Sequence, residues 1–365
     1  MRKSLLLIVL LAALGFFAFK TIKDNVRKDI YQPVALPTSV PTPPLKLIKD
    51  IDNSKIRKSL FIPYWTITRQ KLNSGHYNKY LYFGITPASS GIDKQEAGFV
   101  GLSKFLAIVP EGSDKELVVR MVNSDDNFTI LKDTIKQKSI INDSIALANI
   151  NGFSGVILDL ELSAVPFDSL VKQVDNFTSL FHSEVKKNNL QFGLMLYGDS
   201  FYRLRPFDVK ALSKNADEFL IMAYDFSKAR GNPGPNFPLQ GKEVYGYDMT
   251  KMSDDFLQFL PVDKTSVVFG VFGYDWIVDE KGNALSQANP LTDLQIQKQF
   301  LTNCQYKDCI VTRKNDSKET EITYTDTDGK MHVVWFEDMQ SIAAKEKYLQ
   351  QRGINNFSFW SYSYF

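Results

Sequence analysis

NGFSGVILDLELS (residues 151–163) decides how the rest of the chain is read. GVIL is apolar at every position, so a strand built from it offers no face to water. Strands buried on both faces belong to parallel sheets covered by helices. The same run then delivers two acids, Asp159 and Glu161. Residues two apart on a strand point the same way, so both carboxyl groups leave one side of the strand's C-terminal end. Such pairs are usually solvated loop acids. In a closed sheet they face the mouth, where burial and a neighbouring charge raise a carboxyl group into the range of a general acid.

Runs of the same kind recur along the chain: LFIPYWTI (60–67), YLYFGI (80–85), ELVVRMV (116–122), FGLMLY (192–197), EFLIMAYDF (218–226), SVVFGVFGY (266–274) and NFSFWSY (356–362). With GVILDLE they make eight, separated by amphipathic stretches, which predicts an α/β fold, the (β/α)₈ or TIM barrel. VPFDSLVKQVDNFTSLFHSEVKKNN (165–189) illustrates the helical spacing, with Leu170, Val174, Phe177, Phe181 and Val185 on one face. The seventh and eighth runs stand too far apart for one helix. CIVTRKN, TEITYTD and MHVVWFE, broken by the turn signal DTDG, fill the gap and read as antiparallel strands. They predict a small α+β insertion at 277–336. The sequence ends at Phe365, just past the eighth run, and LKLIKDIDNSKIRK (45–58) is the candidate cover for that side of the barrel.

At 365 residues and 44% hydrophobic, the chain can bury one large core of this size, and no repeat of solenoid period interrupts it. A net charge of +2 gives no nucleic-acid footprint, which needs a clustered basic face. Two cysteines, Cys304 and Cys309, and three scattered histidines do not make a metal centre, so neither metal nor cofactor is expected. The cysteine pair reads equally as free thiols or, in an oxidising compartment, as a small-loop disulfide. No GxSxG elbow, P-loop or GxGxxG is present. RGNPGPNFPL (230–239) follows the sixth run, where barrel enzymes place substrate loops, and reads equally as a turn-rich connection.

The N-terminal part is different in kind. In MRKSLLLIVLLAALGFFAFK (1–20), Arg2 and Lys3 precede an unbroken apolar run from Leu5 to Phe19. Bulky Phe16, Phe17 and Phe19 occupy the place of a small-residue cleavage site, which favours an uncleaved membrane anchor over a cleaved signal. Residues 21–59 form a lead-in whose QPVALPTSVPTPPLK (32–46) holds five prolines, the composition of an extended spacer. The folded domain is then expected over 60–365, outside the cytoplasm and monomeric.

Several segments, taken together, resemble the family-18 glycoside hydrolases, the chitinase-like enzymes. GFSGVILDLE is similar to their DGxDxDxE signature, IMAYDF to their sixth strand, VFGVFGYDW to their seventh, and FIPYWT to their first. WFEDMQSIAAKEKYLQQRGINNFSFWSYSY is similar to their closing helix and eighth strand with its Trp. The resemblance runs from about Leu60 to the end of the sequence. It implies hydrolysis of β-linked N-acetylglucosamine-containing glycan with retention. Glu161 would be the acid, Asp159 the carboxylate that orients the substrate's N-acetyl group, and Tyr224 the hydroxyl on the acetamido oxygen. Trp360 would be the aromatic floor beneath the reacting sugar, with Tyr64, Met222 and Asp225 at further pocket positions. The sequence departs from the signature at Ser154 and Ile157, where the family has Asp. The second departure leaves Asp159 without the carboxylate that can share its proton, so a glycan-binding protein that has lost catalysis is the alternative.

Overall fold

The computed structural model describes residues 52–365 apart from 69, 73–75 and 163. The apolar run at 5–19 and the proline-rich spacer lie outside the described residues. Of the candidate cover at 45–58, the described part holds one short 3₁₀ turn, Asn53–Lys55, ahead of the first strand, and no covering helix.

Eight parallel strands close on themselves: Arg57–Pro63, Lys79–Ile85, Asp114–Met121, Gly155–Leu160, Gln191–Tyr197, Glu218–Ala223, Thr265–Gly270 and Asn356–Trp360. Closure comes from the first strand pairing with the eighth, Leu60 opposite Phe359. Alternation explains why the runs are apolar throughout. On the fourth strand Ile157 points inward to Val118, Met195 and Leu220, while Val156, Leu158 and Leu160 point outward to the helical layer. Asp159 shares the inward parity of Ile157. The helix Asp168–Lys187 buries Leu170, Val174, Phe177, Phe181 and Val185, the face its spacing predicted. The covering layer is uneven among the described residues: the 3₁₀ turn Tyr64–Thr66 follows the first strand, and a four-residue helix, Val209–Leu212, follows the fifth.

The seventh run is not one strand. It leaves the barrel after Gly270, and Phe272–Val278 starts a five-stranded antiparallel sheet. Gly270 permits this, because a Cβ there would collide with the Phe272 ring and lie 2.7 Å from Tyr224 Cβ. In the sheet, Phe272–Val278 lies between Asn289–Thr292 and Met331–Phe336, followed by Thr320–Thr325 and Lys307–Arg313. The α+β insertion therefore begins at Phe272, ahead of the 277 expected. Cys304 and Cys309 form a disulfide within it. Met339–Gln351 then returns as a barrel helix, and its Lys345 bonds Glu319 at 2.7 Å and Glu337 at 2.6 Å. All three side chains are fully buried, so the insertion is held to the barrel by an ionic core.

Candidate active site

The C-terminal ends of the strands open into a cavity of about 480 Å³. Asp159, Glu161, Tyr224, Asp225 and Trp360 line it, so five of the seven residues singled out in the sequence meet there. Met222 is packed in the barrel interior and lines an adjoining cavity of about 310 Å³. Tyr64 does not line either cavity. It packs edge-on against Trp65, 5.0 Å between ring centroids, and Trp65 takes the rim position. The 3₁₀ turn after the first strand rotates the chain there and shifts the exposed ring by one residue.

Asp159 is 1% exposed, and its Oδ1 has no hydrogen-bond partner among the described residues. Burial, then the charge of Glu161, pushes its carboxyl well above the usual carboxylate range, while Arg120 opposes both. Glu161 lies at the strand exit, half-buried. Burial and the charge of Asp225 raise it, against Lys228, Arg205 and Arg120. Its backbone is clamped: the Glu161 N–H donates to Met121 O at 2.9 Å, and Asn127 Nδ2 donates to both Met121 O at 2.7 Å and Glu161 O at 2.8 Å. The third and fourth strand ends are thus held together directly behind the acid.

Tyr224 and Trp360 form the aromatic part. Their rings are 6.4 Å apart and inclined by 23°, and Phe83 meets Trp360 edge-on at 4.7 Å. A flat, partly exposed indole beside carboxyl groups suits the apolar face of a sugar ring. Burial and the charges of Asp159 and Glu161 raise the Tyr224 hydroxyl, so it stays a donor across the working pH range. Asp225 adopts a left-handed conformation, φ 55°, sparsely populated for a residue with a side chain. Asn236 holds it there, accepting from Asp225 N at 2.7 Å and donating to Gly270 O at 2.8 Å. The Asp225 carboxylate accepts from the Tyr274 hydroxyl at 2.7 Å, which ties the insertion to the cavity wall.

The two signature departures separate in space. Ser154 precedes the fourth strand at its N-terminal end, donating to Asp114 and to Lys115 O, far along the strand from the cavity. Ile157 alone sits behind Asp159, opposite Gly193, whose missing Cβ would stand 2.8 Å from Ile157 Cγ1. Sequence reading passed over Arg120, the register partner of Asp159. Its guanidinium lies 5.5–5.8 Å from the rings of Tyr64, Trp65 and Phe83, and 3.8 Å from Glu96. Its signal was available: a lone charge at the end of ELVVRMV interrupts an apolar run as Asp159 interrupts GVIL. Trp65 and Tyr274 lay within quoted motifs, whereas nothing in the sequence marks Asn127 or Asn236. Among the described residues no group of three or more His, Cys, Asp or Glu is placed to hold a metal ion.

The parallel barrel carries two acids, a tyrosine and a tryptophan at its C-terminal mouth, the end where barrel enzymes place their sites. The family model for glycosyl hydrolases family 18 matches residues 70–364, and the chain belongs to that family. The cortical fragment-lytic enzyme of Bacillus subtilis is 22% identical over 63% of this chain and 51% of its own length. A class V chitinase of Arabidopsis thaliana is 26% identical over 61% of this chain and 62% of its own. The chain spans about half the length of the first curated relatives it matches. Among solved structures, the class V chitinase of Nicotiana tobaccum shares the fold at a TM-score of 0.74 and 14% identity, over 85% of this chain and 95% of that one.

Proposed function

We propose that the protein hydrolyses β-linked N-acetylglucosamine-containing glycans with retention, the substrate's own acetamido group acting as nucleophile. The carrying observation is the single cavity that joins Glu161, Asp159 and Tyr224 to the Trp360 floor. Protonated Glu161 gives its proton to the glycosidic oxygen as the C1–O bond breaks. The acetamido oxygen attacks C1, and the acetamido N–H donates to Asp159, filling the acceptor that has no partner among the described residues. Tyr224 donates to the acetamido oxygen. Water then opens the cyclic intermediate, and the Glu161 carboxylate takes its proton.

The test is cleavage of fluorogenic chitobiose and chitotriose glycosides. A thiazoline mimic of the cyclised intermediate should inhibit more tightly than substrate binds, and a substrate without the N-acetyl group should be nearly inert. Fast cleavage of plain glucose oligomers would rule the mechanism out. Ile157 favours one other reading, a glycan-binding protein without turnover. Retained binding of chitotriose with no product at any pH would establish it.

We also propose attachment to a membrane outside the cytoplasm, on the apolar run at 5–19 and the Cys304–Cys309 disulfide. Among the described residues no helix is long and apolar enough to cross a membrane. Fractionation of cells expressing the full chain tests this, since a mature chain beginning near residue 20 and found free of membranes would replace the anchor with a cleaved signal.

A further inference from the structure

Glu161 borders two cavities at once. On one side is the 480 Å³ cavity floored by Trp360; on the other is the 310 Å³ cavity lined by Arg205, Lys228 and Arg230. Those three cations continue into an open trough of about 590 Å³ that also takes in Arg203. If the sugar to be cleaved lies on Trp360, the group that leaves must lie on the far side of the acid, against the cations. The acids facing this side are Asp199, Asp225 and Glu161. Asp199 is already engaged: it accepts from Arg205 at 2.9 and 2.8 Å and from Arg203 at 2.5 Å. Asp225 is held by Tyr274. The Lys228 ammonium has no hydrogen bond or ion pair among the described residues, and Arg230 has one contact, to Gln287 at 3.3 Å. Arg205 is fixed from behind, 4.0 Å over the Tyr197 ring. A neutral chitin chain needs no such charge. Asp199 takes up Arg203 and Arg205, and Asp225 is held by Tyr274, so Lys228 and Arg230 are the cations left to face an anion, with Arg205 beside them.

We propose that the leaving-group side binds a carboxylate-bearing aglycone, the chemistry of a hexosamine carrying a lactyl ether or an attached acidic peptide. This deepens the glycosidase reading above and rests on it. Such a sugar puts its carboxylate within one residue of the scissile bond, where Lys228 and Arg230 stand, and the trough beyond gives room for a substituent.

The experiment compares two tetrasaccharides of alternating N-acetylglucosamine and N-acetylmuramic acid, one with free lactyl carboxylates and one with the same groups capped as amides. At low salt the full protein should show kcat/KM about tenfold higher for the carboxylate form, the effect of two or three exposed ion pairs. The preference should shrink toward unity at about 1 M salt, where the Debye length is about 3 Å. It should invert or vanish in K228E/R230E. Should that variant fail to fold, K228Q reads the same ratio and should reduce it. A parent ratio near one, or a ratio unchanged in the folded variants, overturns the proposal. If neither tetrasaccharide nor chitotriose is cleaved, the glycosidase reading fails instead. Calorimetric binding of the same pair then decides: tighter binding of the carboxylate form, lost in the variants, supports the subsite, and equal or absent binding overturns it.

Discussion

Asp159 at the barrel mouth and Glu319 and Glu337 beneath the insertion are all acids taken out of water, and among the described residues only the second set is compensated. Glu319 accepts from Lys345 at 2.7 Å and from the backbone of Asn236 and Phe237 at 2.5 and 2.8 Å. Glu337 accepts from Lys345 and, at 2.5 Å, from the Ser341 hydroxyl. Among the described residues Asp159 has one oxygen with nothing to accept from, and the counter-charge that opposes its shift, Arg120, is paired with Glu96. Burying a polar group without a partner costs stability. The ionic core spends its hydrogen bonds on joining two parts of the chain. The site leaves one open, where a ligand N–H can close it.

The sharpest way to break the comparison is to unpair the ionic core. Lys345→Met leaves two buried acids without their cation. We expect a loss of about 3–5 kcal/mol, the range for a buried pair broken from one side, read by denaturant unfolding, with turnover well below the transition falling less than tenfold. Glu337 adds a pH signature. Burial raises it, Lys345 opposes, Glu319 adds to the rise, and the group is pushed up to about 8. A folded pKa above the unfolded one means stability present below about 4.5 and lost as pH rises through about 8. Glu337→Gln should flatten that slope in melting curves taken across the window; an unchanged slope would place the titration elsewhere.

The mirror experiment acts on the site. Glu161→Gln should lower turnover of a chitotrioside by about 10²-fold or more, while leaving the melting temperature and oligosaccharide binding close to the parent's. Equal activity in mutant and parent would move the acid role to another group.

These two regions also differ in how far they could be read in advance. The barrel was legible because its strands are apolar on both faces, and GVIL or EFLIM admit no half-exposed alternative. Asp159 and Glu161 were legible because they break that pattern at a strand exit. The seventh run misled because VFGVFGY stays apolar across Gly270 while the chain changes sheets; hydrophobicity reports burial, not which sheet does the burying. Glu319, Glu337 and Lys345 read as ordinary surface charges in a charged segment. Their partners are brought together only by the insertion packing on the last helix, which no local pattern encodes. Asn127 and Asn236 act through backbone contacts and leave no signature either.

Ile157→Asp would test whether the site tolerates the compensation that the ionic core has. It restores the family's residue behind Asp159, but places a carboxyl among Val118, Met195 and Leu220, in space left by Gly193. We expect destabilisation of about 2–3 kcal/mol and, in the folded variant, a displaced pH–rate profile as the two aspartates share protons. An unchanged melting point and profile would mean that residue 157 does not stand behind Asp159.

The smallest effect expected is that of Arg120, and it bears most directly on how Asp159 works without the missing acid. Arg120 opposes the upward shifts of both Asp159 and Glu161. Turnover needs Asp159 ionised to accept the acetamido N–H and Glu161 protonated, so the two interacting groups together set both limbs of the rate profile. Arg120→Gln keeps most of the side-chain volume beneath the Tyr64, Trp65 and Phe83 rings and removes the charge. Both groups then move further up, so the whole bell should shift to higher pH. Turnover at mildly acidic pH should fall by roughly tenfold or less, because the guanidinium already shares its charge with Glu96. Arg120→Lys, which keeps the charge without the planar fork, should restore much of the profile. A loss of activity uniform across pH, unrelieved by lysine, would show that Arg120 serves the fold of the third strand and that Asp159 is kept ionised by the substrate alone.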